Sequence, residues 1–256
     1  MPFPNFIDKY SSKPIISPRK FWEYRKKLGI DLDIDPPDGV VFTFQSKLMT
    51  YIIKHYEVTK VEQGFANLYL LENSKGAVGL CGNFGIGAPI TAILIEEFAA
   101  FGVKKFISIG TAGALQEHLK LGCIIVCDRA IRDEGTSHHY LPGEKYSYPS
   151  QTLTKSVITA IERLSLKYES GTSWTTDAPY RETFKEIENY NGEGVLTVDM
   201  EASAIFTVAK ALNVEAASVF TISDSVIEKD WKPYFHLTDE HLHTLFRIAV
   251  ETLNSV

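Results

Sequence analysis

The chain has 256 residues, 45% of them hydrophobic and 12% aromatic, and its 26 basic and 32 acidic side chains give a net charge of −6. That is enough apolar material for a sizeable core, and the interspersed acidic surplus argues against nucleic acid or an anionic membrane as the main partner and favours a small ligand. No apolar run approaches the roughly 20 residues of a membrane-spanning helix, and the start MPFPNFIDKYSSKP lacks a signal peptide's apolar core, so a cytoplasmic location is expected.

Residues 1–38 are rich in Pro, Lys and Asp and read as an N-terminal extension packed on a single domain that spans 39–256. LDIDPPDG (32–39) leads into the first apolar strand, VVFTF (40–44). Short β-branched runs then alternate with longer helical patterns. AVGLCG (77–82) passes through glycines into the helix PITAILIEEFAAFG (89–102), followed by the strands KFISIG (105–110) and CIIVCDRAI (123–131). Further on, VLTVDM (195–200) precedes the helix EASAIFTVAKAL, and AASVFTISD (216–224) precedes a loop and a last helix. Strands separated by helix-length segments predict an α/β fold, a three-layer α/β/α sandwich around a mixed, largely parallel twisted sheet. The last helix, DEHLHTLFRIAVETL, sets Leu242, Leu245, Phe246, Ala249 and Leu253 on one face, with Thr238 as its N-cap.

Cys81, Cys123 and Cys127 lie in apolar strand-like segments and read as buried thiols. Along a strand Cys123 and Cys127 stand about 13 Å apart, too far for a disulfide.

In open α/β sheets ligands bind at the carboxyl ends of the strands. The tips expected there are GNFGIGAP, GTAGAL, RDEGTSHHY, WTTDAPYRET, DMEAS and SDSV. Gly82, Gly85 and Gly87 could turn backbone N–H groups toward an anion or a sugar, or serve only the turn into the helix that opens at Pro89. The Thr111 hydroxyl could donate to a phosphate or a ribose oxygen. Adjacent histidines diverge in direction and no third ligand is evident, so His138 and His139 are not read as a metal site.

Together, GNFGIGAPITAILIEEFAAFGVKKFISIGTAGALQEHLKLG, VDMEASAIFTVAKAL and TISDSV, in this order and spacing, resemble the nucleoside phosphorylase family. That family includes purine nucleoside phosphorylases, uridine phosphorylases and methylthioadenosine/S-adenosylhomocysteine nucleosidases. The resemblance covers roughly 76–255. It implies that Glu201 grips the ribose hydroxyls, that Met200 packs on the sugar and that Asp199 takes the place of a first motif glutamate, or else caps the following helix. A carboxylate on those hydroxyls would orient the sugar and stabilise the ribosyl oxocarbenium-like cation. The resemblance further implies that Asp224, beside Ser223, protonates the departing base as general acid, which favours a purine. It places Trp174 where relatives stack an aromatic ring on the base; a core tryptophan is the other reading. His139 matches a histidine of the uridine phosphorylase loop.

The departures concern phosphate. The Gly-Asp-Pro-x-Arg loop of phosphorolytic relatives becomes VVFTFQSKLM, and Ser108 and Gln63 stand where two further arginines are expected. Lys47, Arg132 and Arg181 could supply charge instead. The Arg that assists the acid in purine phosphorylases has no match in VIEKDWKPYFHL, a loop whose Trp231, Tyr234, Phe235, Glu228 and Lys229 could form a lid. The expected function is phosphorolysis of a purine nucleoside by a homo-oligomer, dimeric or hexameric. No metal or cofactor is expected beyond phosphate as co-substrate. A water-using nucleosidase, a uridine-type phosphorylase and a non-catalytic binding or storage relative remain as alternatives.

Overall fold

The buried run at 40–44 becomes β1 (Gly39–Thr43), whose five residues are all buried, as a parallel strand covered on both faces requires. In the computed structural model, which describes residues 4, 6, 8–30, 32, 34–62, 66–74, 78–227 and 231–255, ten further strands join it in one mixed sheet. They are β2 (Val58–Lys60), β3 (Asn67–Leu71), β4 (Val78–Gly82), β5 (Lys105–Ala114), β6 (Ile124–Asp133), β7 (Tyr146–Ser147), β8 (Glu169–Thr176), β9 (Thr197–Asp199), β10 (Glu215–Ser225) and β11 (Lys232–Pro233). The helices are α1 (Pro18–Lys27), α2 (Ser46–His55), α3 (Ala88–Phe101), α4 (Gln151–Arg163), α5 (Phe184–Gly192), α6 (Ala202–Leu212) and α7 (Asp239–Leu253).

The three expected layers are present. Leu94, Ile95 and Phe98 of α3, Ile205, Phe206 and Val208 of α6 and Trp22 of α1 pack on one face of the sheet. Leu48, Met49 and Ile52 of α2, Leu153 and Val157 of α4 and the α7 stripe pack on the other. All five residues expected on the α7 stripe are buried. Thr238 precedes α7 but makes no capping bond; its hydroxyl donates to the Phe235 carbonyl instead.

The middle of the sheet departs from a simple open layer. One edge of β5 pairs with β1 over 105–109 and with β9 over 113–114, while its other edge pairs in parallel with β10. The succession β5, β9, β8, β6, β10 therefore closes back on β5. This second pairing carries β5 four residues beyond the expected KFISIG.

Four helices, α1, α2, α4 and α5, lie outside the sequence expectations, although α1 and α5 each carry a clear start signal. Ser17 accepts the Lys20 N–H ahead of Pro18 at the start of α1, and Thr183 with Glu186 forms a complete capping box on α5. α1 packs on α3, with the Trp22 and Phe101 ring centres 6.2 Å apart. The three cysteines are free thiols; Cys81 and Cys127 are buried, which pushes both thiols up from their ordinary value. Among the described residues no helix is long and apolar enough to cross a membrane.

Candidate functional site

The carboxyl ends of β5, β9 and β10 open into a cavity of about 1200 Å³. Thr111, Met200, Glu201, Ser223 and Asp224 line it, as the sequence led one to expect. Phe44 ahead of α2, Lys47 in its first turn, Tyr180 and Glu182 ahead of α5, Phe184 at its first position, and Trp231, Phe235 and His236 from the segment before α7 also line the wall.

Asp199 and Glu201 divide their work. Asp199 Oδ1 accepts the hydroxyls of Ser173 and Thr175, each at 2.8 Å. Its Oδ2 accepts the N–H groups of Glu201 at 2.8 Å and Ala202 at 2.7 Å, capping α6 from outside the helix. Burial raises this carboxyl above the ordinary carboxylate value while those donors pull it down. Asp199 borders the cavity, yet both oxygens are committed to protein donors. Of the two readings left open for it, the geometry fits a cap which fixes its neighbour better than a contact with substrate.

Glu201 is freed by this arrangement. It occupies the N-cap position of α6 without capping it, and its Oε1 accepts the Gly87 N–H at 2.7 Å. Gly87 sits at φ +102°, a conformation that side-chain-bearing residues avoid, and this turns its amide to the carboxylate. The Glu201 side chain is almost wholly buried, and burial, reinforced by the Asp199 charge, pushes its carboxyl up to about 8.

Asp224 is aimed by a bulge. β10 keeps register with β5 as far as Ile222 opposite Ala112, then resumes with Asp224 opposite Gly113, so Ser223 is the extra residue. The Ser223 hydroxyl donates to Asp224 Oδ1 at 2.7 Å, and Trp231 Nε1 donates to Oδ2 at 2.8 Å. Gly113 leaves room for the carboxylate: a Cβ there would lie 3.0 Å from Val198 and 3.3 Å from Asp224 Oδ2. Thr111 accepts the Gln45 amide N–H at 3.3 Å, which leaves its own hydroxyl proton for another acceptor.

Four expected site residues stand elsewhere. Trp174 is 1% exposed, packed among Leu115, Ile131, Ile187 and Val198, and its Nε1 donates to Asp133 Oδ2 at 2.9 Å. It is a core residue behind the site, and the exposed aromatics at the cavity are Tyr180, Phe184, Trp231 and Phe235. Gly85 is exposed at φ +94° and does not line the cavity, although its neighbours Ile86 and Gly87 serve the site. Arg181 is exposed and outside the lining, to which Tyr180 and Glu182 on either side contribute, and His139 is exposed on a loop outside the lining. That loop is anchored beside α6, where Glu134 accepts the Ser137 N–H and the Ser203 hydroxyl.

Of the proposed substitutes for the phosphate arginines, Arg132 spends its guanidinium on Ser137, Leu141 and Pro142. Lys47 does reach the cavity, 3.6 Å from Asp239. Ser108 is buried between strands, its hydroxyl donating to Ser218 at 2.6 Å, and has no access to a ligand. Gln63, Glu228 and Lys229 lie outside the described residues. Glu182, Gln45 and Phe184 were not singled out in the sequence. The only local signal near Glu182 and Phe184 was the capping pattern Thr183-x-x-Glu186 at the start of α5.

These elements make an α/β domain with a carboxylate-bearing cleft where strand ends and loops converge. The chain belongs to the phosphorylase superfamily, whose sequence profile matches residues 44–252. It is 28% identical over 212 residues to a DeoD-type purine nucleoside phosphorylase of Buchnera aphidicola subsp. Baizongia pistaciae, covering 79% of this chain and 87% of that protein. It is 30% identical over 148 residues to a guanosine phosphorylase of Halorubrum lacusprofundi, covering 58% and 61% of the two chains. With a uridine phosphorylase of Haemophilus influenzae it shares 32% identity over 149 residues, 53% of this chain and 59% of that one. The alignments with these last two thus span about three fifths of each relative. Among solved structures, uridine phosphorylase from Vibrio fischeri ES114 superposes with a TM-score of 0.69 at 26% identity, covering 87% of this chain and 92% of that one.

Proposed function

We propose that this protein cleaves the N-glycosidic bond of a purine nucleoside by phosphorolysis. One observation carries the reading: Glu201 at the start of α6 and Asp224 at the end of β10, two nearly buried carboxyl groups, line the same cavity. Glu201, with Met200 beside it, takes the ribose hydroxyls and compensates the positive charge that develops on the sugar as its bond to the base breaks. Asp224 gives a proton to the base, so that the base leaves neutral. The base lies against the apolar wall of Phe184, Ile187, Val198 and Val226, with Trp231 over Asp224.

Phosphate occupies the end of the cavity bordered by Ser46, Lys47 and Thr111, where Lys47 supplies the positive charge and Thr111 a hydroxyl proton. The purine and guanosine phosphorylases among the relatives support a purine base, and an acid placed to protonate it supports the same choice. The reading keeps the expectation of a homo-oligomer.

Chromatography of base release from inosine, guanosine, adenosine, methylthioadenosine, uridine and thymidine, each with and without phosphate, tests this. Phosphate-dependent release from the purine nucleosides with formation of ribose 1-phosphate is expected. Release indifferent to phosphate, with free ribose, would make the protein a nucleosidase. Release from uridine alone would overturn the purine assignment, and tight binding without release would make it a binding protein.

A further inference from the structure

Lys47 and Asp239 meet in the cavity wall, with the Lys47 ammonium 3.6 Å from Asp239 Oδ2. Lys47 sits in the first turn of α2, and Asp239 is the first residue of α7. One turn further along each helix, Tyr51 and His243 stack with ring centres 3.5 Å apart and planes 15° from parallel. Residues four apart share a helix face, so the register that seats the two rings also seats the two charges. Leu48 and Ile52 of α2 are buried in one apolar cluster with Leu242 and Leu245 of α7, and this packing holds the register.

Among the described residues that line the cavity, Lys47 is the one lysine or arginine, and Asp239 is the carboxyl group beside it. Neither side chain has another hydrogen-bond or ion-pair partner among the described residues. Both are exposed, so the pair adds little to stability and both groups remain open to a ligand. A carboxylate beside the only cation opposes an anion that carries no proton, because it repels that anion and offsets the lysine's charge. An anion that carries a proton meets a partner instead. The carboxylate accepts the anion's hydroxyl while the ammonium faces an ionised oxygen. Phosphate keeps at least one P–OH group near neutral pH, whereas sulfate has no proton to offer.

We propose that Asp239 is a specificity-determining residue that reads the hydroxyl of phosphate and turns away oxyanions without one. The inference rests on the phosphorolytic reading above, in which phosphate lies beside Ser46, Lys47 and Thr111. Asp239 accepts the P–OH hydrogen, and Lys47 faces an ionised oxygen. An ionised oxygen attacks the sugar carbon and its electron pair forms the new C–O bond. The pair of the glycosidic bond leaves with the base, which takes its proton from Asp224. The P–OH proton stays on the phosphoryl group throughout, and Asp224 regains its own from solvent, so Asp239 binds without taking part in bond making. A site built to hydrogen-bond a hydroxyl rejects an isostere that lacks it far more strongly than shape alone would.

The test measures base release from inosine against phosphate concentration, with sulfate as competitor and ionic strength held constant, for the wild type, Asp239→Asn and Asp239→Glu. In the wild type the Ki for sulfate should exceed the KM for phosphate by about thirtyfold or more, and arsenate, which carries a hydroxyl, should replace phosphate. In Asp239→Asn the ratio of sulfate Ki to phosphate KM should fall by about tenfold or more, because the amide no longer repels sulfate. Asp239→Glu keeps the carboxylate and should keep most of the preference, and equal melting temperatures would exclude a folding defect. A wild type inhibited by sulfate at concentrations near the phosphate KM overturns the proposal. So does an Asp239→Asn variant that binds both anions more tightly by the same factor, because the carboxylate would then act through charge alone. Base release that ignores phosphate would refute the functional reading itself, whereas phosphate-dependent release from an unselective site refutes only the role of Asp239.

Discussion

The N–H of Gly87 donates to Oε1 of Glu201 across 2.7 Å, joining residues 114 positions apart in the chain. The bond fixes the carboxylate oxygen it touches at the edge of the cavity. The Gly87 and Met200 N–H groups are the backbone donors that offset the burial of this acid.

Glu201 is therefore costly to keep. An acid raised from 4.5 to about 8 binds its proton more tightly folded than unfolded, so it lowers stability progressively as pH rises between those values and by a constant amount above them. Glu201→Gln keeps an acceptor for Gly87 and removes that penalty, which is on the order of 5 kcal/mol. The variant should melt about 5 °C or more above the wild type at pH 9, with the difference vanishing near pH 4.5, and should be inactive. A variant less stable than the wild type at pH 9 would show that the carboxylate is not penalised.

Asp224→Asn keeps the shape of the side chain and removes its proton donor. Base release from purine nucleosides should fall by about 10²- to 10⁴-fold in kcat, with little change in melting temperature. Full activity would remove Asp224 from the chemistry.

Trp231 is 60% exposed, while Trp22 and Trp174 are buried at 9% and 1%. A nucleoside in the cavity should change tryptophan fluorescence through Trp231, and Trp231→Phe should abolish the change. The same variant loses the 2.8 Å donor to Asp224 and should lower kcat by about tenfold, the order expected for one hydrogen bond to a charged group. A fluorescence response that survives in Trp231→Phe would place the ligand elsewhere.

Asp199 should behave in the opposite way to Glu201. Asp199→Ala leaves two hydroxyls and two N–H groups without their acceptor inside the protein and uncaps α6. A loss of about 3 kcal/mol or more is expected at pH 7, read from urea unfolding. A variant of wild-type stability with impaired nucleoside binding would restore Asp199 as a ligand.

The contrast between Trp174 and Trp231 shows where sequence reading stopped. Along β8, Ser173 and Thr175 both turn to Asp199, so the pleat turns Trp174 to the opposite face and into the core. The motif suggested an aromatic ring at the base without fixing which face of the strand carried it. Arg132 likewise looked like an available cation and is bound instead to the carbonyls of its own loop.

The sequence by itself pointed to the layered α/β fold and to the strand ends at which ligands gather, which follow from apolar periodicity. It pointed to Met200, Glu201, Ser223 and Asp224 through the resemblance of their motifs to those of nucleoside phosphorylases, and to Thr111 through its place at a strand end. Only the tertiary structure decided that Asp199 caps while Glu201 turns to Gly87 and the cavity, that a one-residue bulge aims Asp224, and that Glu182 lines the same cavity. These depend on pairing register and on contacts between distant segments, where a shift of one residue reverses the face to which every side chain on a strand points.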